Sequence, residues 1–146
     1  MSHQFLLETG RWRIQGRWWR RTGTSQLVEG FTKITWDRQN WFTMSTKLIF
    51  PETNQPEVTY DYRGHLNPQD LQYTYVLKQS LLGKIEGEGW IATDTIIQRY
   101  SVLGDAQRRA GFETYFRLDE DLYQFTGGIS TGHYLNVAIE AQIKRL

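Results

Sequence analysis

Apolar and polar residues alternate with a period of two along most of this chain. In residues 11–20, Trp12, Ile14, Gly16 and Trp18 share one parity, while Arg11, Arg13 and Arg17 share the other with Gln15 and Trp19. Successive side chains of a strand point to opposite faces. The pattern therefore predicts a half-buried strand with Trp12, Ile14 and Trp18 inward and the arginines in water. A helix does worse, because a step of about 100° per residue does not separate tryptophans from arginines. Further runs alternate in the same way. Phe42, Met44, Leu48 and Phe50 oppose Thr43, Ser45 and Lys47, and Val58, Tyr60 and Tyr62 oppose Thr59, Asp61 and Arg63. Phe112, Thr114, Phe116 and Leu118 oppose Glu113 and Arg117. Leu135, Val137, Ile139, Ala141 and Ile143 oppose Asn136, Glu140, Gln142 and Lys144.

Turn residues separate these runs at short intervals, as in WDRQNW (36–41), FPETNQPEV (50–58), HLNPQDL (65–71), LGDAQRR (103–109) and STGH (130–133). Gly, Pro, Asn and Asp supply the backbone angles and local hydrogen bonds that turns need. Between them the sequence predicts ten strands, at 10–20, 25–36, 40–50, 57–65, 71–79, 83–91, 95–103, 110–118, 121–129 and 133–144. No helix of useful length is predicted, only a short helical turn over Ser2–Glu8 that plugs one end. The connections are consecutive hairpins. A ten-strand meander removes both sheet edges by closing. The expected fold is all-β, a single antiparallel up-and-down β-barrel of about ten strands over residues 1–146, wide enough inside for one small ligand.

Composition narrows the partners. The net charge of +1 is too small for a dedicated nucleic-acid binder. No apolar run reaches about 18 residues, so no membrane-inserted helix is expected, and MSHQFLLETGRW is too polar for a signal peptide. The chain has no cysteine. That excludes disulfides and thiol chemistry and fits a cytoplasmic protein.

Within a barrel, Trp12, Trp18, Met44 and Phe116 become wall residues of a site for a small, largely apolar molecule. Gln98 and Tyr100 share parity with Ile96 and Val102, so they are expected on the inner face as the few polar groups that orient a ligand; a satisfied core hydrogen bond explains them equally well. Gly83, Gly87 and Gly89 mark either a barrel corner or a bare patch of wall. Tyr60, Tyr62, Tyr73 and Tyr75 fall on strands expected to be neighbours, where they pack across the sheet or line the interior. His3 lies in the terminal stretch, and His65 shares parity with Asp61 and Arg63 on the polar face. No nucleophile elbow, phosphate loop or clustered metal-ligand spacing is present, so no catalytic residue is assigned. Two alternatives stay open. One is an enzyme or chromophore-handling factor on the same barrel. The other is a protein-interaction module whose Arg11, Arg13, Arg17, Trp19 and Arg21 stripe meets an acidic protein partner.

The Gly10-Arg11-Trp12 motif on the first strand, followed by about ten meander strands, resembles the calycin-like barrels: lipocalins, fatty-acid-binding proteins and nitrobindin-type haem barrels. The resemblance implies that Trp12 packs across the closed end. It also implies a lipid, pigment or tetrapyrrole as ligand. In GHYLNVAIEAQIKRL, residues 132–146, His133 resembles the haem-ligating histidine of nitrobindin-type barrels. That makes His133 the metal ligand if haem is the cofactor. Its parity with Leu135, Val137 and Ile139 would turn it inward. The Arg13-Ile14-Gln15-Gly16-Arg17 stretch matches the glycine-rich opening of those barrels only in part.

Overall fold

A computed structural model describes residues 3–146. Among them are ten strands: β1 (Gly10–Arg20), β2 (Ser25–Trp36), β3 (Trp41–Ile49), β4 (Val58–Asn67), β5 (Gln72–Gln79), β6 (Gly83–Ile91), β7 (Thr95–Val102), β8 (Arg109–Asp119), β9 (Leu122–Thr131) and β10 (Tyr134–Arg145). Each pairs antiparallel with its sequence neighbours, and β1 pairs with β10, from Trp12 opposite Arg145 to Arg20 opposite Val137. The sheet is thus a closed barrel without free edges. Among the described residues no helix is long and apolar enough to cross a membrane.

The β1 alternation holds. Trp12, Ile14 and Trp18 are buried, and Arg11, Arg13 and Arg17 are exposed. Met44 and the other β3 residues of its parity also face inward. One barrel end is closed by the segment from His3 to Glu8, which forms a turn; the predicted turn began at Ser2, which lies outside the described residues. Phe5 and Leu6 are fully buried there. Phe5 packs edge-on to Trp12 (ring centroids 5.3 Å apart) and stacks on Tyr115 at 4.7 Å. Trp36 Nε1 donates to Leu6 O at 2.7 Å and ties the plug to β2.

His3 is not at a loose end. It is buried, with Nε2 2.8 Å from Ala92 O and Nδ1 2.7 Å from the Tyr123 hydroxyl. The carbonyl can only accept, so Nε2 carries the proton and Nδ1 accepts from the tyrosine. Burial, the first cause, and the Arg117 cation lower the His3 pKa, while the bond to Ala92 opposes them. The folded ring therefore stays neutral where the unfolded one charges. This group's contribution to stability is complete above the ordinary histidine range and is lost as pH falls below it. Mild acid is expected to loosen the plug first, seen as earlier hydrogen exchange of residues 5–7 than of the strand amides. Equal protection of those amides at pH 5 and pH 7 would contradict this.

Two sequence expectations are corrected. In β8, Phe112, Phe116 and Leu118 are about half exposed, at 47%, 48% and 49%, while Glu113 and Tyr115 are buried. Phe116 is therefore not a wall residue of the interior. Register decides the parity. Glu113 lies opposite Gln98 and Gly127, and Tyr115 opposite Ile96 and Phe125, all on inward-facing positions. A one-residue slip would invert the whole strand. In β10, His133 is exposed in the β9–β10 turn, and Leu135 is 48% exposed. Register shifts between Leu135 and Val137, leaving Asn136 as an extra residue. Such a bulge resets the alternation. Parity carried back from Ile139 therefore fails before Val137, and His133 does not face the interior.

Candidate functional site

The centre of the interior is polar, on a ring of tyrosines. Tyr60 and Tyr62 come from β4, Tyr73 and Tyr75 from β5, Tyr100 from β7 and Tyr115 from β8, and all are buried. Their rings make an aromatic lattice. Tyr60 and Tyr62 stack at 6.1 Å, Tyr62 meets Tyr75 at 5.5 Å, and Tyr73 meets Tyr75 at 6.0 Å.

Glycines make room for these rings. A Cβ on Gly89 would stand 2.0 Å from Tyr73 Cζ, one on Gly87 2.3 Å from Tyr75 Cζ, and one on Gly111 2.1 Å from Tyr100 Cζ. Tyr73 lies opposite Gly89, Tyr75 opposite Gly87, and Tyr100 opposite both Gly87 and Gly111. Of the two readings of Gly87 and Gly89, the bare patch of wall does not hold, because the protein's own tyrosines cover these glycines.

Glu113 sits among these rings. Its side chain is buried, and Oε1 accepts from Gln98 Nε2 at 2.7 Å and from the Tyr62 hydroxyl at 3.1 Å. The Gln98 Oε1 in turn accepts from the Tyr73 hydroxyl at 2.5 Å, and the Tyr115 hydroxyl lies 3.5 Å from Gln98 Nε2. Glu113 is in no ion pair among the described residues. An isolated carboxylate is costly to bury. Burial accordingly raises the Glu113 pKa, and the bonds from Gln98 and Tyr62 pull it back only in part. Burial also raises the Tyr62, Tyr73 and Tyr115 pKa values well above the ordinary phenol value, with the Glu113 charge adding to it. These hydroxyls remain donors.

The raised carboxyl has a sign consequence. Between the ordinary carboxylate range and the higher folded pKa, the folded chain holds the proton that the unfolded chain has released. Stability therefore falls as pH rises through that window and stays lower above it. Glu113→Gln removes the titration and keeps an oxygen that can accept both hydrogen bonds. It is expected to melt higher than the wild type at pH 7, each recovered kcal/mol being worth about 2–4 °C, with the gap closing in acid. An equal melting gap at pH 4 and pH 7 would contradict the raised pKa of the buried carboxyl.

A cavity of about 30 Å³ adjoins this centre, bounded by Phe5, Met44, Tyr60, Tyr62, Glu113 and Tyr115 among others. One water needs roughly 10–15 Å³ on the same measure, so the space holds little more than water. The interior is largely filled by its own side chains. Of the residues expected from sequence, Met44 borders the cavity, and Gln98 and Tyr100 face the same interior. Trp12 and Trp18 are fully buried outside the cavity's lining. Phe116 and His133 lie outside the barrel. Counting apolar residues alone puts Glu113 on the wrong face. Its signal was its alignment with Gln98, the polar residue already expected inside. Among the described residues, no group of three or more His, Asp or Glu could hold a metal ion.

By fold the protein is a closed, ten-stranded, up-and-down antiparallel barrel, with one carboxyl and a set of phenols at its centre. No family model matches the chain, and no curated protein matches it significantly in sequence. Solved structures are similar to it, and two of them show the range of the likeness. Rv2717c from M. tuberculosis superposes with a TM-score of 0.74 at 15% identity, over 94% of this chain and 92% of that one. The S-type phycobiliprotein lyase CPES from Guillardia theta superposes with a TM-score of 0.61 at 16% identity, over 100% of this chain and 92% of that one. At such identities the likeness is one of fold.

Proposed function

We propose that this barrel binds a small, largely apolar molecule in its interior, with Glu113 as the polar group that orients it. The observation that carries the reading is a buried carboxyl without a cationic partner among the described residues, on the wall of the small central cavity. Both protein hydrogen bonds to Glu113 go to Oε1, which leaves Oε2 for a ligand. An apolar ring system with an N–H group fits that arrangement, since apolar walls supply affinity and a few polar atoms fix orientation. The phycobiliprotein lyase among the similar structures supports a pigment over a fatty acid. A haem ligated by His133 is not part of this proposal, because that ring is exposed in a turn.

A pigment exceeds the present cavity, so binding requires the interior to open. Phe5 both closes the end and lines the cavity. Its withdrawal with Leu6 would join the cavity to the barrel mouth. Titration of the protein with biliverdin, followed by visible absorption, tests the reading. A saturable spectral change that Glu113→Leu weakens by about tenfold, the worth of one buried hydrogen bond, is expected. No saturable change, or one that the variant retains in full, would overturn it.

A second reading, a protein-interaction module, draws on the nearly filled interior and on the outer wall.

A further inference from the structure

We infer that the outer face of β10, β1 and β2, next to the plugged end, docks an acidic, extended polypeptide segment of a partner protein around Phe31. The pairing register carries this. Arg11 stands directly opposite Lys33 on β2, and Arg13 directly opposite Lys144 on β10. All four side chains are exposed. Like charges placed opposite each other on a sheet are destabilising, and a barrel wall could relieve them by placing one carboxylate among them. Here none of the four is in an ion pair among the described residues. The carboxylates of these strands, Glu29 and Glu140, lie further along, opposite Gln15 and Arg17, and those at the β8–β9 turn, Asp119, Glu120 and Asp121, border a surface hollow with Lys144 without forming an ion pair to it.

The rest of the cationic stripe is already engaged. Arg17 donates to the Ser25 hydroxyl at 3.2 Å, and the Arg21 guanidinium lies 4.7 Å from the Tyr134 ring centroid. Arg11, Arg13, Lys33 and Lys144 are what remains. In their midst Phe31 is 55% exposed, directly opposite Arg13 on one side and Lys47 on the other. An exposed ring among cations is the composition of an interface anchor with a charged rim.

The geometry favours an extended acidic chain. Neighbouring strands are about 4.8 Å apart and alternate residues about 6.8 Å, so the cations form a grid that carboxylates on alternate residues of a strand can follow. Phe31 adds an apolar contact that a phosphate backbone does not use. The net charge of +1 lacks the basic excess that a nucleic-acid or anionic-membrane surface calls for.

The test uses a labelled glutamate-rich peptide carrying one leucine, followed by fluorescence anisotropy against the full chain. Single-stranded DNA of equal charge and phosphatidylserine vesicles are the competing probes. The peptide is expected to bind with an affinity that falls as salt rises. Arg13→Glu and Lys33→Glu should each weaken it by roughly tenfold, and Phe31→Ser should weaken it without changing the salt dependence. Lys84→Glu, an exposed change on β6, should leave it unchanged. Arg13→Glu should also melt no lower than the wild type, because it ends the repulsion with Lys144. Failure of the peptide to bind, equal loss in Lys84→Glu, or preference for the DNA or the vesicles would overturn the inference.

Discussion

Trp12→Ala is expected to destabilise the protein by about 3–5 kcal/mol, the range for a large aromatic removed from a core. Trp12 is fully buried. Its ring meets Phe5 at 5.3 Å and Tyr123 at 5.7 Å, both edge-on, and the Arg145 guanidinium lies 5.8 Å from its centroid. Phe5 belongs to the plug and Tyr123 to β9, so one ring joins three parts of the closed end. Truncation leaves a hole that this fixed wall cannot collapse to fill. One term acts the other way: Trp12 Nε1 has no hydrogen-bond partner among the described residues, and removing it relieves that cost. Trp12→Phe should therefore lose much less than Trp12→Ala. Urea unfolding of the two variants checks both statements, and an unchanged midpoint for Trp12→Ala would refute the core role of this ring.

Gly89→Ala is the second large effect, from a single methyl group. Its Cβ would stand 2.0 Å from Tyr73 Cζ and 2.3 Å from the Tyr73 hydroxyl. The far end of a side chain can sometimes move aside, but this ring has little freedom. It packs edge-on to Phe42 at 5.5 Å and against Tyr75 at 6.0 Å, and its hydroxyl holds Gln98. Overpacking of this kind costs about 1–3 kcal/mol, and displacement of the Tyr73 hydroxyl adds the loss of a buried hydrogen bond, about 1 kcal/mol. A Tyr73→Leu background separates the two causes. There Gly89→Ala should be nearly neutral, since the atoms it would strike are gone. A full loss in both backgrounds would mean that the backbone at this position, rather than the ring, requires glycine.

The strand positions were legible because turn residues punctuate them and because charged side chains alternate with large apolar ones. β1 is the clearest case, where every other residue is either arginine or glutamine until Trp19. β8 was illegible for the opposite reason. Its outer face carries Phe112 and Phe116, and its inner face carries Glu113, so an apolar count selects the wrong side. The outer residues continue an exposed apolar belt with Trp90 and Ile97, which single-strand periodicity does not reveal. Matching the strands to one another could have resolved it. The Tyr73 and Tyr75 pair fits the Gly89 and Gly87 pair on the next strand, and Gln98 fits Glu113. The bulge at Asn136 leaves no trace in the alternation after it, so parity alone turns His133 inward. The plug role of Phe5 and Leu6 was foreseeable, but the His3 bonds depend on residues 89 and 120 positions away, beyond any local pattern.

The central claim is that a ligand enters the barrel beside Glu113. Met44 reports on it directly, because it borders the cavity and is one of two methionines in the chain. The measurement is the methyl spectrum of protein labelled with carbon-13 at the methionine methyls, recorded through a biliverdin titration. The expected result is a saturable shift of the Met44 methyl with the same midpoint as the visible absorption change, reduced in Glu113→Leu. A saturating absorption change with the Met44 methyl unmoved would contradict the claim, and would place the pigment on the outside of a barrel whose interior stays closed.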